Sequence, residues 1–400
     1  MNGSHPDGPG ADRPDVVVVG GGCIGLATAW RAAGAGLRVT VVDPHPGAGA
    51  SWAAAGMLAP VTEVHYGEEA LLQLNLASAE RYPAFVEELE QEAETAVGYR
   101  RCGTLFAAVD GSDRAVLEEL HQFQQGLGLE AQLLSGRQCR ALEPMLAPGI
   151  RGGILAPEDH QVDSRRLTPA LRTAAVRRGV AIHQCAVAEV VVADGRAAGV
   201  RLEGGELLLA DAIVLAAGCW SSSIPGLPPD AVPSVRPVKG QILHLRGPAD
   251  PPFLSRNLRG VAEGSHVYLV PRDDGRVVVG ATVEERGFDT TVTAEAAYTL
   301  LRDAHELVPG VLELELAETH VGLRPGSPDN APLLGPSALP GLIMATGHHR
   351  NGVLLTPVTA DAVATYLSTG RLEDHVLPFS PSRFVGVGQR GRISDTETVR

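Results

Sequence analysis

Between Asp15 and Asp43 the chain carries a pattern that few folds can use. The run Asp15–Val19 (DVVVV) is almost wholly apolar and β-branched, which suits a parallel strand buried on both faces. It runs into Gly20, Gly21, Gly22 and Gly25, and the Ala-rich stretch from Ile24 to Ala35 predicts a helix. Leu37–Val42 (LRVTVV) predicts a second strand, ending at Asp43, 18 residues beyond Gly25. Strand, tight turn, helix and strand within about 30 residues form one βαβ unit. In Gly20-x-Gly22-x-x-Gly25 the first glycine permits the turn, the second lets backbone approach a pyrophosphate, and the third lets helix and strand pack closely. Cys23 and Ile24 open the helix, whose free N–H groups favour phosphate. Asp43, followed by Pro44, accepts from ribose hydroxyls. This fingerprint alone suits NAD and FAD equally, and it also suits a packing turn without ligand.

Beyond it, Glu69–Val97 predicts a helix interrupted only by Pro83, and Ser164–Arg178 a helix with an Arg-rich exposed face. Gly103–Val109 predicts a strand and Arg114–Gln125 an amphipathic helix. From Val180 to Ala217 strands alternate with the turn dipeptides Asp194-Gly195 and Gly204-Gly205, a meander closing on a second apolar run, Ala212–Ala217. Residues 235–285 predict further strands, Ala294–Leu307 a helix, and the region near Leu354 the start of another. The Pro-rich stretches 225–233 and 247–252 are expected to cross between domains. A chain of 400 residues is too long for one ordinary core, so two domains are expected.

Charge narrows the function. With 33 basic and 47 acidic residues the net charge is −14, which argues against binding a nucleic-acid backbone. Lys239 is the only lysine, a bias that reads as coding preference. The five cysteines (Cys23, Cys102, Cys139, Cys185, Cys219) show no CxxC and no metal-type spacing, so reduced thiols, no metal and a cytoplasmic location are expected. Residues 1–14 lack a basic n-region and an apolar h-region and read as a tail. No apolar run approaches the ~20 residues that cross a bilayer, so no integral membrane segment is expected.

The segment Ser51–Pro60 (SWAAAGMLAP) is too apolar for a surface loop. Its small residues suit backbone passing beside a flat ring, or equally a buried loop. With it, VVVVGGGCIG (16–25), VLAAGCWS (214–221), RPVKGQ (236–241), HVYLVPR (266–272), VVVGATVE (277–284), GLRPGSPDNAPLLG (322–335) and GHHRNGVLLTP (347–357) follow in order. Together they resemble the D-amino-acid oxidase family of FAD-dependent flavoproteins, and within it the glycine-oxidizing branch that serves thiamine biosynthesis, across residues 15 to 378.

The resemblance implies an α/β (α+β, two-domain) fold in which a Rossmann-like FAD-binding domain (15–94, 157–234 and 319–378) interleaves with a substrate domain on an antiparallel sheet (95–156 and 235–318), with a tail at 379–400. It gives Arg324 the grip on a substrate carboxylate, a task suited to a guanidinium fork that cannot lose its charge. On its residues alone Arg324 could equally be a surface ion pair, although the glycines and prolines around it predict a shaped loop. Tyr268 shares the carboxylate by the same resemblance; its residues alone suggest a half-buried strand aromatic. His266 becomes a polar pocket wall, and Arg350 a group near the reduced flavin and the substrate. Further cofactor contacts implied are Ala50, Ser51, Ala55, Gly56, Met57, Val187, Ala217, Gly218 and the run His348, His349, Arg350, Asn351, Gly352, Val353 and Leu354. Val283 stands where a larger methionine can occur, and His349 where an aromatic is frequent.

Relatives that hold flavin covalently do so through a cysteine in the C-terminal half, and none follows Cys219 here, so FAD is expected to be non-covalent. The expected activity is oxidative deamination of glycine, sarcosine or D-alanine with dioxygen, giving an oxo acid (glyoxylate), ammonia and hydrogen peroxide. Arg324, Tyr268 and Arg350 carry it, in a homo-oligomer. The alternatives are a D-amino-acid dehydrogenase or sarcosine-oxidase-like flavoenzyme, an NAD-dependent enzyme, and a non-catalytic flavin-binding protein.

Overall fold

A computed structural model describes residues 13–384 apart from 263; the rest of the tails expected at 1–14 and 379–400 lies outside the described residues. The strand Val16–Val19 is buried at all four positions. It pairs in parallel with Val39–Val42 on one side and Ala212–Leu215 on the other. Six strands form this sheet, in the order Leu333–Pro336, Leu342–Thr346, Ala212–Leu215, Val16–Val19, Val39–Val42, Ala181–His183. All pairings are parallel except the hairpin of the first two.

Alternation along Val16–Val19 explains the layers. Val16 and Val18 pack into a helical layer made by Cys23–Gly34, Glu69–Ala93, Ser164–Arg177 and Thr356–Thr369. Trp30, fully buried, meets the edge of Phe85 there at 5.5 Å. Val17 and Val19 face the meander Val187–Ala193, Arg196–Leu202 and Leu207–Leu209. Its first turn puts Asp194 and Gly195 at positive φ (49° and 73°), as a tight hairpin requires.

The second sheet has eight strands, in the order Glu315–Gly326, Arg236–Arg246, Arg276–Gly280, Ser265–Pro271, Asn257–Ala262, Thr104–Ala108, Gly152–Ala156, Gln132–Ser135. It is not wholly antiparallel, because Asn257–Ala262 and Thr104–Ala108 run parallel. One face packs its leucines and valines against the helix Ala294–Leu307. The other, through Ile242, Val270 and Val278, meets Ala53 and Ala55 of the small-residue stretch. Arg272 joins the two layers, its fork donating to the Gln161 side chain and to the carbonyls of Val162 and Ala55.

Several expectations change. The 247–252 stretch is a turn between two strands of the same sheet and not a crossing between domains. Arg324 lies on the strand Glu315–Gly326 and not in a loop; Pro325 and Gly326 are accommodated where that strand ends. The chain stays packed beyond 379, with Phe379 buried and Arg383 paired to Asp329. The arginines of Ser164–Arg177 are not simply solvated: Arg165 makes a bidentate contact to Glu318 at 2.8 and 2.7 Å. Lys239 is 1% exposed and bonded to Asp289 and the Thr291 carbonyl, both at 2.7 Å, so it is a built element and not mere coding preference.

Candidate functional site

A cavity of about 670 Å³ runs between the two sheets. At one end it is made of backbone. Gly20 has φ +109°, and a Cβ there would stand 2.3 Å from the Ala216 carbonyl oxygen. A Cβ on Gly25 would lie 2.0 Å from the Gly20 carbonyl oxygen, so Gly25 serves strand–helix approach and does not line the cavity. The Gly25 requirement and the positive φ of Gly20 follow from a strand entering a helix within one turn, whereas the close approach at Gly20 comes from the end of the neighbouring strand.

Asp43 ends the second strand with its carboxylate already engaged: Oδ2 accepts from Gly21 N–H and Oδ1 from His45 N–H, both at 2.7 Å. It shapes the glycine loop as well as facing the cavity. A carboxylate accepts about four hydrogen bonds, which leaves room for a ligand hydroxyl. Ser51 Oγ accepts from Cys23 N–H at 3.0 Å, tying the small-residue stretch to the start of the helix. Gly22, Cys23, Ile24, Pro44, Ala50, Ala55, Met57, Val187, Ala217 and Gly218 also line the cavity. Gly56 lines it too, but its positive φ answers a different need: a Cβ there would meet the Val162 carbonyl oxygen at 2.0 Å. An elongated cavity floored by glycines at a helix N-terminus, with an acid at the end of the second strand, fits a dinucleotide.

The opposite end is made of side chains. Arg324 Nη1 donates to the Thr282 carbonyl at 3.1 Å, and its guanidinium lies over Gly240, where a Cβ would be 2.3 Å from Nη1. The Tyr268 hydroxyl lies over Gly280 in the same way, 2.4 Å from where a Cβ would stand. Two glycines on adjacent strands thus clear space for the two polar side chains. Burial raises the Tyr268 pKa while Arg324 pulls it down, so the phenol keeps its proton at neutral pH.

The loop ahead of Thr356–Thr369 forms the remaining wall. His348 is buried, with Nε2 3.0 Å from Thr359 Oγ1, and burial alone pushes its pKa down to about 3. His349 adopts a left-handed φ of +48°, and burial, then Arg324, Arg350 and Arg236, push it down to about 4. Both rings are neutral at neutral pH. Arg350 is paired to Glu68 Oε2 at 3.0 Å and reaches the Glu63 carbonyl at 3.3 Å, a tether the sequence did not reveal. Gly352 and Val353 line the cavity, whereas Asn351 and Leu354 are buried away from it. His266 is exposed outside the cavity beside Phe106, ring centroids 6.2 Å apart; it projects two residues along the strand from Tyr268.

Glu63 and Gly240 line the cavity without having been anticipated. Glu63 follows SWAAAGMLAP by three residues, a nearness that could have drawn attention to it. Behind it stands Arg259, whose Nη1 is 2.6 Å from Glu63 Oε1. Among the described residues no cluster suits a metal ion, no helix is long and apolar enough to cross a membrane, and all five cysteines are free.

Residues 15–366 match the family described as FAD dependent oxidoreductase, DAO. The chain is 37% identical over 379 residues to the bifunctional protein ThiO/ThiG of Synechocystis sp., covering 93% of this chain but 54% of that one. It therefore spans about half the length of that relative. It is 32% identical to the glycine oxidase of Geobacillus kaustophilus, covering 94% of this chain and 98% of the relative. The crystal structure of glycine oxidase from Geobacillus kaustophilus superposes with a TM-score of 0.85 at 32% identity, covering 94% of this chain and all of the other.

Proposed function

The chain belongs to the DAO family of FAD dependent oxidoreductases, and from that membership we propose that it oxidatively deaminates glycine and other small amino acids such as sarcosine and D-alanine. Its class, an FAD-dependent amino-acid oxidase of the glycine oxidase/ThiO type with non-covalent flavin, follows from the family. The substrate rests on one observation: Arg324 and Tyr268, from strands with two others between them in the sheet, converge on the far end of the cavity, each above a glycine.

Gly20, Gly22, Asp43, Ser51 and Val187 would hold the nucleotide end of FAD, and the stretch 348–353 the opposite rim. Bound FAD would supply the two-electron acceptor, with dioxygen as the final oxidant and hydrogen peroxide as its product. The protein's own work is positional. Arg324, anchored by the Thr282 carbonyl, presents its remaining donors to the substrate carboxylate. The neutral Tyr268 phenol donates to the same group. Two fixed donors set the direction of the substrate Cα–H bond, the kind of constraint that replaces a general base with geometry. The apolar walls (Ile242, Ala53, Met57) limit water at the reacting carbon. Loss of two electrons and two protons from the amino acid leaves an imino acid, which one water hydrolyses to the oxo acid and ammonia. Arg350, tethered by Glu68, closes the rim. Glyoxylate or its imine would feed thiamine biosynthesis, in the cytoplasm, from a homo-oligomer.

The test is an anaerobic titration of the holoprotein with glycine, sarcosine and D-alanine, followed by peroxide measurement in air. Bleaching of the flavin with one peroxide per turnover is expected. If no amino acid bleaches it, the substrate assignment is wrong; bleaching without peroxide makes it a dehydrogenase.

A further inference from the structure

An α-amino acid brings two charges into this cavity, and Arg324 and Tyr268 answer only one of them. The substrate nitrogen needs an acceptor. Among the described residues the cavity wall includes two carboxylates, Asp43 and Glu63. Asp43 stands at the nucleotide end, engaged with Gly21 and His45. Glu63 stands at the substrate end, close enough to Tyr268 for its charge to act on the phenol together with that of Arg324.

Glu63 is also held as a binding group should be. Its side chain is 18% exposed, and one oxygen, Oε1, meets Arg259 at 2.6 Å. Arg259 comes from the strand paired with that of Tyr268, opposite Tyr268 itself, and its guanidinium packs over the Phe106 ring at 5.1 Å. Pairing with one oxygen leaves the other able to accept. The backbone before Glu63 is clamped: the buried Asp159 carboxylate accepts from Val61 N–H at 3.0 Å and from Thr62 N–H and Oγ1, each at 2.7 Å. Gln124 Nε2 donates to the Val61 carbonyl at 2.9 Å, and Arg350 reaches the Glu63 carbonyl at 3.3 Å. A carboxylate fixed this firmly on a cavity wall loses little entropy when it meets a ligand.

The geometry points to Glu63 as the group that receives the substrate's amino nitrogen, with Arg259 as its positioning residue. Arg324 with Tyr268 and Glu63 with Arg259 then form opposite poles for the two ends of an amino acid. The pairing selects amino acids over hydroxy acids and simple carboxylates of the same size. It rests on the substrate reading above and adds the specificity for the amine.

The decisive variant is Glu63→Gln in the FAD-bound protein. It keeps the shape and removes the charge. Two ligands are compared: glycine, by steady-state KM and anaerobic flavin reduction, and acetate, which lacks the nitrogen, by its perturbation of the flavin spectrum. The glycine KM should rise at least tenfold while the acetate Kd stays within twofold, and this unchanged acetate binding also reports an intact fold. Equal changes for both ligands, a change for acetate alone, or no change for either would overturn the assignment. Failure of glycine to reduce the unmodified protein would instead remove the substrate reading itself.

Discussion

The two ends of the cavity are built by opposite means. At the six-stranded sheet the wall is backbone and absence: Gly20 and Gly22, the helix start at Cys23, and the alanines of the 50–57 stretch. At the eight-stranded sheet it is charge and reach: Arg324, Tyr268 and the Glu63–Arg259 pair, drawn from three strands and one loop. The first end is set mainly by local chain geometry between Gly20 and Met57, completed by Ala216–Gly218 at the end of the neighbouring strand. The second exists only when strands far apart in sequence pair in register, as Tyr268 does with Arg259 and with Gly280. A large, invariant ligand part suits the first arrangement. A small substrate, whose identity turns on one or two groups, suits the second.

The contrast can be broken most forcefully with one methyl group. Gly25→Ala would place a Cβ 2.0 Å from the Gly20 carbonyl oxygen, a backbone atom that cannot move without opening the turn. The expected result is protein recovered without flavin absorbance, or none recovered. A normal ratio of flavin to protein absorbance would show that the nucleotide end tolerates more than its geometry allows.

At the other end, Arg324→Ala should leave flavin content unchanged and lower kcat/KM for glycine roughly 100-fold, corresponding to about 3 kcal/mol for lost charged hydrogen bonds. The loss should fall mainly in KM, and it should be much smaller for an uncharged amine. An unchanged KM for glycine would remove Arg324 from the site.

Acid should test both halves through one buried histidine in each. Burial pushes His348, behind the cofactor rim, down to about 3 and His244, in the eight-stranded sheet, down to about 4. Their folded pKa values lie below the unfolded 6.5, so their stabilising effect is complete above pH 6.5. As pH falls from 6.5 toward these values the unfolded chain takes up protons that the fold refuses. Stability then drops by up to about 1.4 kcal/mol per pH unit for each histidine. Asp159 opposes this, since burial raises it to about 6 and the fold takes up its proton first. Thermal melts between pH 7 and 5 should show a fall that His244→Leu flattens; an unaltered slope would mean His244 is not held neutral.

The smallest effect should come from Gly240→Ala. The added Cβ also meets a contact of 2.3 Å, but with the tip of Arg324, which can shift. Flavin content should be normal and the glycine KM raised roughly tenfold, about 1.4 kcal/mol. If Gly240→Ala instead lost its flavin, the two ends would not be independent.

The same contrast decides what the sequence could reveal. The βαβ unit was legible because its strands, turn and acid are close together in sequence and its glycines serve the turn itself, although Gly20 also answers to the distant Ala216 carbonyl. The helix Ala294–Leu307 was legible from its periodicity, and it forms over those residues. The strand Leu342–Thr346, which completes the parallel sheet, was hidden among glycines and prolines. The strand carrying Arg324 was mistaken for a loop, because pairing along Arg236–Arg246 overrides the local Pro325-Gly326 signal. Glu63 and Arg259 escaped because nothing in either segment announces that they meet. His266 was placed in the pocket by resemblance, yet it stands outside, where the strand has moved past the cavity rim.

Lys239 gives the sequence a single ε-amine. It sits at 1% exposure beneath the segment that carries Thr282, the backing of Arg324, and is held by Asp289 and the Thr291 carbonyl. An acylating reagent can reach that amine only when the 282–293 segment lifts away. The rate of labelling at this one position is therefore a clock for the opening of the substrate end, readable by mass spectrometry without any engineered probe.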